Sequence, residues 1–122
     1  MSHPLALALV IFAAIVSSAQ AEGNADHGKT LFSRCTGCHA ATAQNKFGPG
    51  LAGVFGRQAG TAPNFRYSKA MIGYARHWDD QTLENFLAAP AKAIPGTTMT
   101  TTVPNGSDRA DIIAYLKSIR SP

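Results

Sequence analysis

The sequence predicts an all-α domain of three to five helices joined by ordered loops, on three observations. Apolar residues recur at helical spacing in separate stretches with capping residues at their starts. No segment alternates apolar and polar residues as a half-buried strand would. Between the helical stretches, glycine and proline gather densely enough to forbid long regular elements.

Asn24 is the expected N-cap of a helix from Ala25 to Cys35, where Ala25, Gly28, Leu31, Phe32 and Cys35 share one stripe. Gly48 to Gly60 holds five glycines and Pro49, so it is expected to be a loop packed around something. Ser68 caps a short helix through Tyr74. Asp79 or Asp80 opens another, with Leu83, Phe86 and Leu87 on one face until Pro90 stops it. Ala91 to Gly106 contains two prolines, two glycines and a threonine run, and is expected to be an ordered, non-helical loop. Loops of that length in small domains usually carry function. Ser107 is the expected cap of the last helix. Asp108 and Asp111 suit its positive end, Lys117 and Arg120 suit its negative end, and Ile112, Ile113, Leu116 and Ile119 form its buried stripe.

The chain divides at Ala21. Leu5 to Val16 is an unbroken apolar run, too short for the roughly 20 residues that span a bilayer, and Ala19-Gln20-Ala21 follows it with the small-x-small pattern of a cleavage site. Residues 1–21 are therefore expected to be a cleaved export signal, although their flank has no Lys or Arg, and residues 22–122 the mature domain. The expected location is the periplasm, without stable membrane insertion. All eleven Lys and Arg and all seven Asp and Glu follow Ala21, so the net charge of +4 belongs to the mature domain and favours acidic partners. These basic residues are dispersed and no nucleic-acid motif accompanies them, which argues against DNA or RNA binding. A domain this short has a marginal core unless something staples it.

Cys35-Thr36-Gly37-Cys38-His39 supplies the staple, because C-x-x-C-H is the attachment motif of a c-type haem. Thiols three residues apart lie on one side of a helical turn, so both can add to the vinyl groups of one haem edge. His39 is then the proximal ligand. The competing readings are a local disulfide, a thioredoxin-like redox pair and part of a zinc site. A redox pair should sit beside a strand-helix-strand pattern, which is absent. Zinc would need ligands beyond those the motif offers. For a sixth ligand the mature chain offers Met71, Met99, His27 and His77. Met99 is favoured because the rigid Pro95 and permissive Gly96 precede it in the long loop.

These words in this order resemble the class I cytochromes c, the branch of mitochondrial cytochrome c and bacterial cytochrome c2. Besides the haem motif, the resemblance rests on Phe47-Gly48-Pro49-Gly50-Leu51, Gly53-Val54-Phe55-Gly56-Arg57, residues Ala62 to Tyr67, Trp78, the Ile94 to Met99 loop and Asp111 to Leu116. It implies the small cytochrome c fold, wrapped around one haem c held through Cys35 and Cys38, with His39 and Met99 on the iron. It further implies that Pro49 orients the His39 ring, that Arg57, Tyr67 and Trp78 hydrogen-bond a buried propionate, and that Gly28 and Phe32 meet Tyr115 where the first and last helices cross. Two departures stand out. Phe86 occupies the place of a Tyr whose hydroxyl reaches the axial methionine in relatives, and Thr101 replaces a Phe that covers the haem edge in many of them.

The expected function is a monomeric one-electron carrier rather than an enzyme, shuttling electrons between respiratory or photosynthetic donor and acceptor proteins with acidic docking surfaces. By resemblance Arg34 and Lys46 flank the exposed haem edge and Lys92 lies nearby, though Thr98 stands where many mitochondrial relatives have lysine. A ligand-binding enzyme or sensor would instead need an open iron site, and a module using haem only as a staple would not need Met99.

Overall fold

The computed structural model describes Met1, Ser2, Pro4, residues 10–14 and residues 22–121. Much of the expected export signal, including its cleavage motif Ala19-Gln20-Ala21, lies outside these residues. No helix among the described residues is long and apolar enough to cross a membrane.

Among the described residues five α-helices follow in chain order: α1 (Ala25–Leu31), α2 (Lys69–Tyr74), α3 (Asp80–Ala88), α4 (Pro90–Ala93) and α5 (Gly106–Ser118). Among the described residues there is no strand, only an isolated antiparallel bridge between Gln58 and His77. Asn24 caps α1 by accepting from the His27 N–H. The helix is shorter than its apolar stripe suggests, because the chain tightens into a 3₁₀ turn over Phe32–Arg34. Cys35 N–H donates to Phe32 O, three residues back, at 2.8 Å, and His39 N–H donates to Cys35 O at 2.9 Å. Ser68 caps α2 by accepting from Met71 N–H, and Ala75, in the left-handed region at φ 52°, ends it.

Asp79 begins α3 with a reciprocal box: its carboxylate accepts from Thr82 N–H while the Thr82 hydroxyl accepts from Asp79 N–H. The Thr82 N–H first, and then the Thr82 hydroxyl 3.0 Å from Asp79 Oδ1, hold the Asp79 carboxyl below its ordinary value. Pro90 ends α3 as expected but also opens the single turn α4, since its fixed φ suits a first helical position. The non-helical stretch thus begins at Ile94 rather than Ala91. The cap of α5 is Asn105, not Ser107: its Oδ1 accepts from Asp108 N–H at 3.0 Å and also from the Ser107 hydroxyl at 2.7 Å. An asparagine two residues upstream outcompetes the serine because it can serve both donors. Ile119 falls just past the end of α5 and is only partly buried.

α1 and α5, from opposite ends of the domain, make the most extensive helix-helix contact. A Cβ built on Gly28 would lie 1.9 Å from the Asp111 carbonyl oxygen and 2.9 Å from Tyr115 Cβ, so only glycine allows this approach. The Phe32 and Tyr115 rings pack beside it with centroids 5.2 Å apart. Asp111 stitches the crossing from its rim. Its carboxylate pairs with His27 Nδ1 and accepts from Asn24 N–H, both at 2.7 Å, and these contacts, His27 foremost, hold its carboxyl below the ordinary aspartate value. The core continues from this crossing through Leu31, Ile112, Ile113 and Leu116 to Leu83, Phe86 and Leu87 of α3.

Gly28→Ala is expected to destabilise the protein by about 1–3 kcal/mol through overpacking. Gly73→Ala, whose Cβ meets nothing within 4 Å, should be neutral or stabilising by up to about 1 kcal/mol. Denaturant unfolding followed by circular dichroism reads both.

Candidate cofactor site

The turn after α1 lets the Cys-x-x-Cys-His segment face the core. Cys35, Cys38 and His39 line one cavity of about 280 Å³, many times the roughly 30 Å³ that a water molecule occupies in the liquid, so it is a binding crevice and not a packing defect. Its walls are the buried side chains of Val54, Trp78, Phe86, Leu87, Ile112 and Leu116. The crevice therefore lies against the inner faces of α3 and α5.

Both cysteines are free thiols. Burial pushes the Cys35 thiol up, opposed by the nearby Arg34 charge and assisted slightly by Cys38. A redox-active C-x-x-C pair needs the reverse, a thiol whose pKa is lowered. Among the described residues no group of three or more His, Cys, Asp or Glu converges, so the motif lacks the further ligands a zinc site requires.

The His39 ring is fixed from two sides. Its Nδ1 lies 2.8 Å from the Pro49 carbonyl oxygen, which can only accept, so Nδ1 carries the proton and Nε2 keeps a lone pair for ligation. A Cβ on Gly48 would come within 2.5 Å of His39 Cε1, so the ring sits flat against a backbone without a side chain. The loop itself is tied back by Gly48 N–H to Cys38 O at 2.7 Å, by Leu51 N–H to Ala40 O at 3.0 Å, and by Gly50 N–H to the Asn45 side chain at 3.0 Å.

Met99 and Met71 both border the crevice and both are partly buried. The two remaining candidates are elsewhere: His27 turns to Asp111, and His77 is exposed in its bridge with Gln58. Arg57, Tyr67 and Trp78 also line the crevice. Arg57 is half-buried, its guanidinium donating to Ala52 O at 3.4 Å and Gly50 O at 3.3 Å. Tyr67 accepts from Ala62 N–H at 3.0 Å, which leaves its hydroxyl proton to be donated. Trp78 is buried between Tyr74 and Phe86, and backbone bonds from Trp78 N–H to Arg57 O and from Gly56 N–H to Trp78 O tie these segments together.

This donor set suits a haem. Two thiols at helical spacing, an imidazole of fixed tautomer and a thioether share an apolar crevice, and a guanidinium and a phenol stand where a buried carboxylate would otherwise lack partners. Two features escape sequence reasoning. Phe47, at the rim of the crevice, is 86% exposed, although its neighbours in the motif are inward. Arg109 and Glu84 form an ion pair at 2.6 Å between α5 and α3 beside the end of the methionine loop, and no local pattern announces a contact between residues so far apart in the chain.

Residues 25–120 match the family described as Cytochrome c. Cytochrome c of Euglena viridis is 44% identical over 101 residues, covering 80% of this chain and 99% of that protein. Cytochrome c2 of Rhodoblastus acidophilus is 40% identical over 102 residues, covering 81% of this chain and 95% of that protein. Among solved structures, cytochrome cH from Methylobacterium extorquens is similar with a TM-score of 0.76 at 38% identity, covering 79% of this chain and 99% of that one.

Proposed function

The chain belongs to the cytochrome c family of electron carriers, and on that premise we propose that it is an exported, periplasmic, monomeric one-electron carrier with haem c held by Cys35 and Cys38 and ligated by His39 and Met99. One observation carries this reading: both thiols, the imidazole and Met99 border a single apolar crevice.

Bound haem c supplies an iron that gains and loses one electron between its ferric and ferrous states. The residues supply the rest. Cys35 and Cys38 would hold the haem by adding their thiols across its two vinyl groups as thioethers, which would tie its edge to the turn after α1. Pro49 holds the proton of His39 at Nδ1, so the ligating nitrogen is always Nε2. The thioether of Met99 favours the ferrous state and raises the potential. Arg57, Tyr67 and Trp78 would donate to a haem propionate that would otherwise be buried without partners. Val54, Phe86, Leu87 and Ile112 exclude water from the crevice, so few dipoles reorient when the charge changes.

The partners proposed are respiratory or photosynthetic donor and acceptor proteins with acidic docking surfaces. Arg34 lines the crevice, Lys46 is exposed next to Phe47 at its rim, and Lys92 is exposed on α4. Lys46 Nζ donates to Thr36 O, and Arg34 stands 3.6 Å from Asp108 with its side chain 58% exposed, so both charges still face solvent. The positive field of such a rim steers encounter more than it holds the complex.

Three measurements test the reading. Intact mass should equal residues 22–122 plus one haem that acidified organic solvent does not extract. An unprocessed mass would remove the export proposal, and extractable haem would remove the thioether attachment. For the sixth ligand, Met99→Ala should abolish the sulfur-to-iron absorption band of the ferric protein and raise peroxidase reactivity, while Met71→Ala keeps the band. The opposite pattern would make Met71 the ligand. For docking, Arg34→Glu, Lys46→Glu and Lys92→Glu should each slow bimolecular electron transfer with an acidic partner by a few-fold to about ten-fold at low salt, the difference shrinking as salt shortens the screening length. Rates indifferent to salt and to reversal would discard the basic docking face.

A further inference from the structure

The methionine loop is fastened at its ends and not along its length. Upstream, Ile94 is buried, its N–H donates to Pro90 O at 2.9 Å, and Thr97 N–H donates back to Ile94 O at 3.0 Å. Downstream, Val103 is buried and its N–H donates to Leu87 O, at the end of α3, at 2.8 Å. Between these anchors, none of Thr98 to Thr102 makes a hydrogen bond among the described residues. Phe86, which borders the same crevice, has no hydroxyl to offer Met99. The position of the Met99 side chain therefore depends on how firmly the two ends are held.

The downstream end has a second fastening. Arg109 Nη1 donates to Val103 O at 2.8 Å and to Pro104 O at 2.9 Å, while its Nε donates to Glu84 Oε1 at 2.6 Å. Its side chain is only 15% exposed. Pro104 has no N–H, so this stretch offers chiefly carbonyls, and a side chain with several donors in a rigid fork is what satisfies two successive ones. The same guanidinium touches α3 through Glu84, belongs to α5 and grips the loop end. It ties three parts of the chain at one point.

We propose that Arg109, oriented by Glu84, is a positioning residue for the sixth iron ligand: it fastens the Val103–Pro104 end of the loop to α3 and α5 and thereby keeps Met99 on the iron. The proposal rests on the reading of Met99 as that ligand. Opening of the loop is a local event whose frequency is set by its anchors, separable from unfolding of the whole domain. An incoming ligand reaches the iron only when the loop opens, so the rate at which imidazole replaces the methionine reports the anchoring.

The test uses the ferric, haem-loaded full chain and its Arg109→Met, Arg109→Lys and Glu84→Gln variants, with the sulfur-to-iron band and stopped-flow imidazole binding as readouts. Arg109→Met should raise the limiting rate of imidazole binding by about ten-fold or more, the factor that corresponds to about 1.4 kcal/mol. Arg109→Lys should recover part of the wild-type rate, and Glu84→Gln should fall between wild type and Arg109→Met. Gly28→Ala, which weakens the fold at the α1–α5 crossing, should leave the rate within about two-fold of wild type. Should Arg109→Met fail to fold, Arg109→Lys and Glu84→Gln still decide the matter. A wild type with the band and variants that bind imidazole at its rate would overturn the role of Arg109. Equal acceleration by Gly28→Ala would reduce it to general stability. A wild type that lacks the band, or binds imidazole without delay, would instead overturn the ligand assignment itself.

Discussion

The approach of Gly28 to the Asp111 backbone is the constraint on which the other contacts depend. It lets α1 and α5 cross backbone to backbone, so the two ends of the domain close on each other and everything between Cys35 and Asn105 must return to one small space. The crossing also sets the crevice. The thiols and His39 leave α1 on its inner side, while Ile112 and Leu116 of α5 form the facing wall. Phe32 and Tyr115 fill the angle between the helices, and Asp111 closes the rim through His27 and Asn24. A side chain at position 28 would separate the wall from the motif that it faces.

With no sheet among the described residues, long loops have to be held by other means. The chain uses backbone carbonyls as fixed points. Pro49 O accepts from His39 Nδ1–H, Trp78 O accepts from Gly56 N–H, Arg57 O accepts from Trp78 N–H, and Val103 O accepts from the Arg109 guanidinium. Two of these tie a loop to a side chain, and two tie one loop to another through the backbone alone. Short helices are sufficient in such a design because they serve as anchors, not as the body of the fold. α2 has no buried residue at all, yet its Ser68 cap and left-handed Ala75 position a partly buried Met71 and Tyr74 against the core.

What the sequence makes legible is local or contained in one compact motif. Asn24, Ser68 and Asp79 act as the caps their side chains suggest, because capping is decided within three residues. The Cys-x-x-Cys-His spacing, the glycine-rich loop and the stop at Pro90 are of the same kind. The departures come from competition that a linear pattern does not rank. Asn105 takes the cap of α5 from Ser107 because it satisfies two donors, and the stripe through Cys35 overstates α1 because the chain tightens into a 3₁₀ turn at Phe32–Arg34, just before the motif. Arg109 is illegible for a different reason. A charged residue in an exposed-looking helix face reveals nothing of its role until the fold brings Glu84 and the two carbonyls within reach of one guanidinium.

The two residues that depart from the family resemblance, Phe86 and Thr101, both line the crevice. Phe86 presents a ring without a hydroxyl to the crevice that Met99 also borders. Thr101, on the same crevice, is a small exposed side chain with no ring to cover it. A loop with neither a side-chain tether nor an aromatic lid depends on its end anchors for both position and enclosure. The inward set of Val103, paired to Leu87 and gripped by Arg109, supplies the first of these. Enclosure is left to the buried indole and phenyl of Trp78 and Phe86, whose centroids lie 5.1 Å apart on the crevice wall. The buried aromatic surface of the crevice thus comes from Trp78 and Phe86, while Phe47 at its rim is exposed.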